Sequence, residues 1–235
     1  MKTLRFKDAV YVGDPLNAVK IFNEKEVDEL ILLDVTATKE KREPDYDYIN
    51  QIATECFMPV AYGGGVNSIE QFKKVIVSGI EKVVINSAAS KKPDFVRQAA
   101  DHFGSSSVVV AIDVKKDFFG RKQVYLNANG KYAEEDIVTS VKLFEAKGAG
   151  EIFLQSVDHD GTMNGYDTSL INLVASSVSI PVIACGGAGK LSDFTHALHA
   201  GASAVAAGSK FVFIGSHKAV LINYPSPQEI LELTQ

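Results

Sequence analysis

The sequence predicts an α/β fold, a (β/α)8 barrel made of duplicated half-barrels, on three observations. Short, continuously apolar runs alternate with single amphipathic stretches, the pattern of a parallel sheet covered by helices. PVAYGGGV (59–66) returns 122 positions later as PVIACGGAG (181–189). The same offset of 122 carries Glu29 onto Glu151, Phe72 onto Phe194, Gly79 onto Gly201 and Ser87 onto Ser209. One register kept across five elements without a gap reads as a repeated half of four β/α units.

The elements follow in order. GDPLNAVKIFNEKE (13–26) is a helix, and no strand is expected ahead of it. DELILLDV (28–35) is a buried strand, and DYDYINQIATECF (45–57) a helix with Ile49, Ile52, Ala53 and Cys56 on one face. A strand begins at PVAYGGG, followed by helix 68–79 with Ser68 as N-cap and Gly79 closing it. KVVINS (82–87) is a strand, KPDFVRQAADHFG (92–104) a helix, and SVVVAIDVKK (107–116) a strand. The polar excursion DFFGRKQVYLNANGK (117–131) resembles a β-hairpin. Helix 136–148, strand 151–157, helix 168–178, strand 180–185, helix 191–201 and strand 202–209 complete the reading.

That makes seven strands, where a closed barrel needs eight. Strand 107–116 opens the second half, and its counterpart in the first half falls upstream of Met1. The first strand is therefore expected to be missing from this chain.

The 235 residues are 46% hydrophobic, enough for a sizeable core, and are read as one domain spanning 1–235. A net charge of −5 argues against nucleic-acid binding. MKTLRFKDAV lacks the apolar core of a secretory signal, and no apolar run reaches a membrane span. The expected location is the cytoplasm, away from membranes. Cys56 and Cys185 read as buried thiols of a reducing compartment. His102, His159, His196, His199 and His217 form no ligand set, and His196 and His199 read as a solvated helix face. Neither a metal nor a cofactor is expected.

A glycine-rich turn after a strand lets backbone N–H groups approach an anion, helped by a following helix N-terminus. GGGVNS and CGGAGK supply two such turns, and INSAA (85–89) and AAGSK (206–210) sit on the next strand ends. Two symmetry-related phosphate sites point to a substrate phosphorylated at both ends. The competing reading is that these glycines only relieve crowding.

LLDVTATKEKREPDYDYI, YGGGVNSIEQ, KVVINSAA, SVVVAIDVKK, SVDHDGTMNGYD and IACGGAGKLSDF together resemble HisF, the cyclase subunit of imidazole glycerol phosphate synthase. The resemblance covers nearly the whole chain. It implies a lyase of histidine biosynthesis. Such an enzyme takes ammonia from a HisH-like glutaminase and acts on a bisphosphorylated ribulosyl-formimino aminoimidazole ribonucleotide. By motif, Asp113 matches a catalytic general acid/base, against a reading as a hairpin cap. Asp160 matches a pocket acid, against an Asx-turn, and Asp34 a pocket residue at a strand end. Gly64, Gly65, Asn86, Ser87, Gly161, Thr162, Gly186, Gly187, Gly208 and Ser209 match phosphate-side groups. Glu29, Lys82 and Glu151 match a charged ammonia gate at the opposite mouth, against ordinary surface charges.

The departures are specific. The family's other catalytic aspartate and the gate arginine belong to the missing first strand. Two explanations stand: a start assigned too far downstream, or a truncation leaving an open seven-stranded barrel. Gln155 stands where the family usually has threonine and Cys185 where it has serine. The tail KFVFIGSHKAVLINYPS (210–226) resembles HisF paralogues of surface-polysaccharide genes. Those are expected to act as ammonia conduits to a sugar amidotransferase that forms acetamidino sugars, without cyclase turnover.

Overall fold

The computed structural model describes residues 1–215 and 217–233. Its elements in order are β1 (Lys2–Leu4), β2 (Lys7–Val10), α1 (Pro15–Glu24), β3 (Leu30–Leu33), α2 (Ala37–Glu40), α3 (Tyr46–Glu55), β4 (Val60–Gly63) and α4 (Ile69–Val77). Then come β5 (Lys82–Ile85), α5 (Ser87–Lys91), α6 (Asp94–Phe103), β6 (Val108–Lys116), β7 (Lys122–Leu126), β8 (Lys131–Tyr132), α7 (Ile137–Ala146) and β9 (Glu151–Ser156). The chain continues with α8 (Thr168–Ala175), β10 (Val182–Cys185), α9 (Leu191–His199), β11 (Ala204–Ala206), α10 (Ser209–Val212), β12 (Phe213–Ile214), β13 (Ala219–Val220) and α11 (Pro227–Leu233).

Seven strands form one parallel sheet in the order β11-β10-β9-β6-β5-β4-β3. These are the seven strands the sequence predicts, and β3 and β11 end the order. The predicted hairpin is present: β7 runs antiparallel to the end of β6, and β8 pairs with β7.

Alternation along the strands separates two faces, since successive strand side chains point to opposite sides. Val83, Ile85, Val108, Val110, Ile112, Ile152, Leu154, Val182 and Ala184 join helix residues such as Phe72, Val75, Val96, Val141 and Leu170 in the core between sheet and helices. Ala61, Val84, Val109, Ala111, Phe153 and Ile183 form a second, interior cluster with Ile31, Cys185 and Ala206 packed on it. Strands apolar on both faces are what a helix-covered parallel sheet requires.

The repeat is preserved in three dimensions. α1 and α7 start and stop at equivalent positions, as do β4 with β10 and α4 with α9. Asp14 and Asp136 cap α1 and α7 by accepting the backbone N–H three residues on, and Asp45 and Asp167 do the same for α3 and α8.

Helix α4 is capped by Ser68 and closed by Gly79, the left-handed residue at φ +97° that follows the C-cap Ser78, as the sequence predicts. Three expectations are corrected. The region ahead of residue 13 is not bare, because β1 and β2 pair antiparallel there. Cys56 lies one residue past α3, as its C-cap in extended backbone, and still packs against the core that holds Ile49 and Ala53. Ser87 and Ser209 do not end strands: they begin the short helices α5 and α10, with Asn86 and Gly208 as the preceding caps.

Candidate functional site

The parallel ladder sets one row of side chains across the strand-end face. Asp113 on β6 is in register with Gln155 on β9, and Gln155 with Cys185 on β10. By the two-residue period these share the interior face with Ala111, Phe153 and Ile183. Asp113 is 7% exposed and accepts a hydrogen bond from Asn86 Nδ2 at 3.0 Å. Burial is the main force on its carboxyl. The Asn86 bond favours the charged form, and the nearby Asp160 charge opposes it. The pKa is raised to about 7, so the group exchanges protons near neutrality.

Asp160, 5% exposed, lies on the turn after β9 and is held by the N-terminal arm. Lys2 Nζ pairs with its Oδ1 at 2.7 Å, and Thr3 Oγ1 donates to Oδ2 at 3.0 Å. Gln155 Nε2 reaches Oδ1 at 3.5 Å, and Arg5 N–H donates to the Asp160 carbonyl at 3.0 Å. Sequence reasoning missed Lys2 and Thr3, because contacts 157 and 158 residues apart leave no local signal. The Asx-turn reading of Asp160 is not what its carboxylate does here, since both oxygens are taken by the arm.

Lys2, Asp160, Gly161, Cys185, Gly186, Gly187, Gly208 and Ser209 line one cleft at this face. The structure thus brings seven of the singled-out second-half residues into one cleft, while Thr162, Gln155 and Asp113 do not line it. Burial, first, and the Asp160 charge push the Cys185 thiol up to about 12, so it remains a protonated, weakly polar wall.

The glycines have steric reasons of their own. Gly186 has φ +96°, and a side chain there would strike the Ser156 carbonyl. Gly187, at φ +118°, passes against Gly165, whose N–H donates to the Gly187 carbonyl at 2.8 Å. In the first half, Gly64 and Gly65 are packed against Asp34 and Arg42, in the loop that follows β3. Crowding therefore accounts for all four, alongside whatever their N–H groups bind.

The Asp34 carboxylate is bonded within its own loop rather than to Asp113. It pairs with Arg42 at 3.1 Å and accepts from the Thr36 and Ala37 N–H groups. Burial would raise its pKa, but Arg42 and those N–H groups together hold it below the usual carboxylate range. Thr162 Oγ1 donates to the His159 carbonyl at 2.8 Å, closing its turn.

At the opposite, strand-start mouth, Lys82 Nζ lies 3.1 Å from Glu29 and 2.9 Å from Glu151. The three predicted gate residues are thus one cluster. Burial would lower the Lys82 pKa, but its two carboxylate partners raise it. Glu151 Oε2 is buried without a hydrogen-bond partner. Among the described residues no three His, Cys, Asp or Glu side chains are grouped as metal ligands, and no helix is long and apolar enough to cross a membrane.

Comparisons with known proteins place nearly the whole chain among related sequences. The family model described as histidine biosynthesis protein matches residues 1–217. The putative imidazole glycerol phosphate synthase subunit hisF2 of Pseudomonas aeruginosa is 48% identical over 231 residues, covering 98% of this chain and 92% of that protein. The putative subunit hisF3 of Vibrio vulnificus is 47% identical over 234 residues, 97% of this chain and 89% of that protein. The imidazole glycerol phosphate synthase subunit HisF of Lactococcus lactis is 44% identical over 194 residues, 82% of this chain and 75% of that protein.

Proposed function

This chain belongs to the HisF family of histidine biosynthesis proteins, whose fold is the (β/α)8 barrel, and we propose that it is a HisF-like cyclase subunit that uses ammonia on a bisphosphorylated substrate. The observation that carries the reading is the pair of buried carboxylates, Asp113 and Asp160, in and beside a strand-end cleft walled by glycine turns. Ligands of β/α barrels bind at this face.

In this reading Asp113 moves protons as the ring closes. A group titrating near 7 can both give and take a proton at neutral pH. Asn86 orients that carboxylate. The backbone around Gly186, Gly187, Gly208 and Ser209, with Gly161 and Thr162 beside it, takes one phosphate, and Lys2 adds a positive charge there. Gly64, Gly65, Asn86 and Ser87 are the first-half counterparts for the second phosphate. Gln155, Cys185 and Asp34 complete the pocket wall.

Ammonia enters from a HisH-like glutaminase docked at the Glu29, Lys82 and Glu151 cluster. It then crosses the apolar interior of Ile31, Ala61, Val84, Ala111, Phe153 and Ile183. That layer favours neutral ammonia over ammonium, because an unpaired charge is costly in apolar surroundings. The histidine pathway and a cytoplasmic location follow from this reading.

The test is Asp113→Asn assayed with ammonium salt. Turnover should fall about 100- to 10,000-fold while substrate affinity stays within a few-fold. Unchanged turnover would remove Asp113 from the chemistry.

A second reading rests on Gln155 and Lys2. Both engage Asp160 Oδ1, and Thr3 Oγ1 donates to Oδ2, so each carboxylate oxygen already has a partner within the chain. The barrel would then pass ammonia onward to a sugar amidotransferase of surface-polysaccharide synthesis without cyclising anything itself. The two readings differ in whether the bound bisphosphate is consumed.

A further inference from the structure

We propose that Tyr166 is a positioning residue, which from behind the cleft sets the backbone that receives the second-half phosphate. The inference rests on the phosphate reading of that cleft given above and adds the side chain that shapes it. Tyr166 is 8% exposed and lies on the connection between β9 and α8. Its ring belongs to the core between sheet and helices, not to the interior cluster. There it meets Phe194 of α9 with centroids 6.3 Å apart. Tyr166 does not itself line the cleft, so it acts on a ligand only through what it holds.

What it holds is the end of β11. The Tyr166 hydroxyl donates to the Ala206 carbonyl at 2.9 Å, across 40 residues of sequence. Ala206 is the last residue of that strand, and Ala207, Gly208 and Ser209 follow it into the cleft wall. In a trans peptide the N–H of one residue points opposite to the carbonyl of the residue before it. The Ala206 carbonyl is drawn back onto Tyr166, so the Ala207 N–H is aimed away from the helices, to the cleft side. Backbone N–H groups fixed in one direction are what an anion site needs.

The same connection braces the neighbouring turn. Gly165 N–H donates to the Gly187 carbonyl at 2.8 Å. By the same peptide geometry this directs the N–H of Ala188, another cleft-lining residue, the opposite way. His159 Nδ1 lies 3.0 Å from the Gly165 carbonyl and fixes Gly165 in turn. One connection therefore ties together the turns after β10 and β11. A phosphate gripped by both turns needs them held at a set separation by packed, hydrogen-bonded supports.

The brace belongs to the second half alone. The 122-residue offset puts Pro44 where Tyr166 stands. Proline has neither a hydroxyl nor an N–H to donate. The first-half turn is held differently, by Asn67 Nδ2 donating to the Gly65 carbonyl at 3.1 Å. Loss of the Tyr166 hydroxyl should therefore weaken one phosphate subsite and spare the other. A tyrosine hydroxyl that merely found a convenient acceptor in the core would weaken neither.

The test is Tyr166→Phe in the full chain, which keeps the ring and removes only the hydroxyl. Inorganic phosphate is titrated into isotope-labelled parent and variant while the backbone N–H resonances are followed. In the parent, the signals of Ala207 and Gly208 should shift and saturate, and those of Gly64 and Gly65 should report the first-half subsite. In the variant, the phosphate Kd read at Ala207 and Gly208 should rise at least about fivefold, the worth of one hydrogen bond. The Kd read at Gly64 and Gly65 should stay unchanged. The melting temperature should fall by no more than about 2–4 °C. An unchanged Kd at Ala207 and Gly208 would overturn the role of Tyr166 and leave the phosphate reading standing. An equal rise at both subsites would overturn it too, because it marks general loosening rather than positioning. A parent whose Ala207 and Gly208 signals ignore phosphate would overturn the phosphate reading, and this inference with it.

Discussion

Asp113 carries the sharpest chemical consequence of the fold. Its ordinary pKa of 3.8 is raised by burial to about 7 in the folded chain, so the folded state holds a proton that the unfolded state gives up between those values. The sign follows: the contribution to stability is full below about pH 4 and is lost as pH rises through about 7. Asp113→Asn, which cannot ionise, should therefore flatten the fall in stability between pH 4 and 8. The difference from the parent should grow to the order of 4 kcal/mol at the alkaline end. Urea unfolding of both proteins across that range measures it, and parallel curves would contradict the assignment. Asp113 was legible as a strand-end residue and Asp160 as part of a recognisable motif after a strand. Lys2 was not, because only folding brings the arm onto the turn after β9. The pairing of Asp34 with Arg42 was not legible for a related reason, since Arg42 lies in a loop whose path no periodicity encodes.

At the scale of elements, the duplication was the most readable feature. A repeat in sequence constrains both the strands and the helices that cover them, so even helix ends coincide between halves. Phe72 and Phe194 occupy equivalent places in α4 and α9, and both are buried. Phe72 stacks on Phe103 with centroids 4.7 Å apart, whereas Phe194 meets Tyr166 and Phe211 at 6.3 and 5.9 Å. Phe72→Ala and Phe194→Ala should each cost about 3–5 kcal/mol, since each leaves a cavity against rigid strands. Denaturant midpoints at constant slope would check this, and a cost under about 1 kcal/mol at either site would show that its surroundings collapse freely. The short antiparallel pairs β1–β2 and β12–β13 were not legible. They have three or four and two residues per strand, too few for a period to register.

The whole molecule has two chemically distinct mouths and an apolar interior between them. Charged Glu29, Lys82 and Glu151 face one end, and Asp113, Gln155 and Cys185 the other. If the first is where a glutaminase delivers ammonia, Lys82→Ala should reduce glutamine-dependent activity at least tenfold more than activity on ammonium salt. Equal losses in the two assays would make the cluster purely structural. The polarity of this arrangement was legible, because Glu29, Lys82 and Glu151 stand at strand starts in the sequence and Asp113 near a strand end. How the row at the far mouth is joined to the N-terminal arm was not. The most direct measurement is turnover of the bisphosphorylated ribulosyl-formimino substrate by the full chain with ammonium salt and no glutaminase, beside a titration of substrate binding. The account predicts binding together with formation of imidazole glycerol phosphate. Binding without any product would contradict a cyclase and leave the conduit reading in its place.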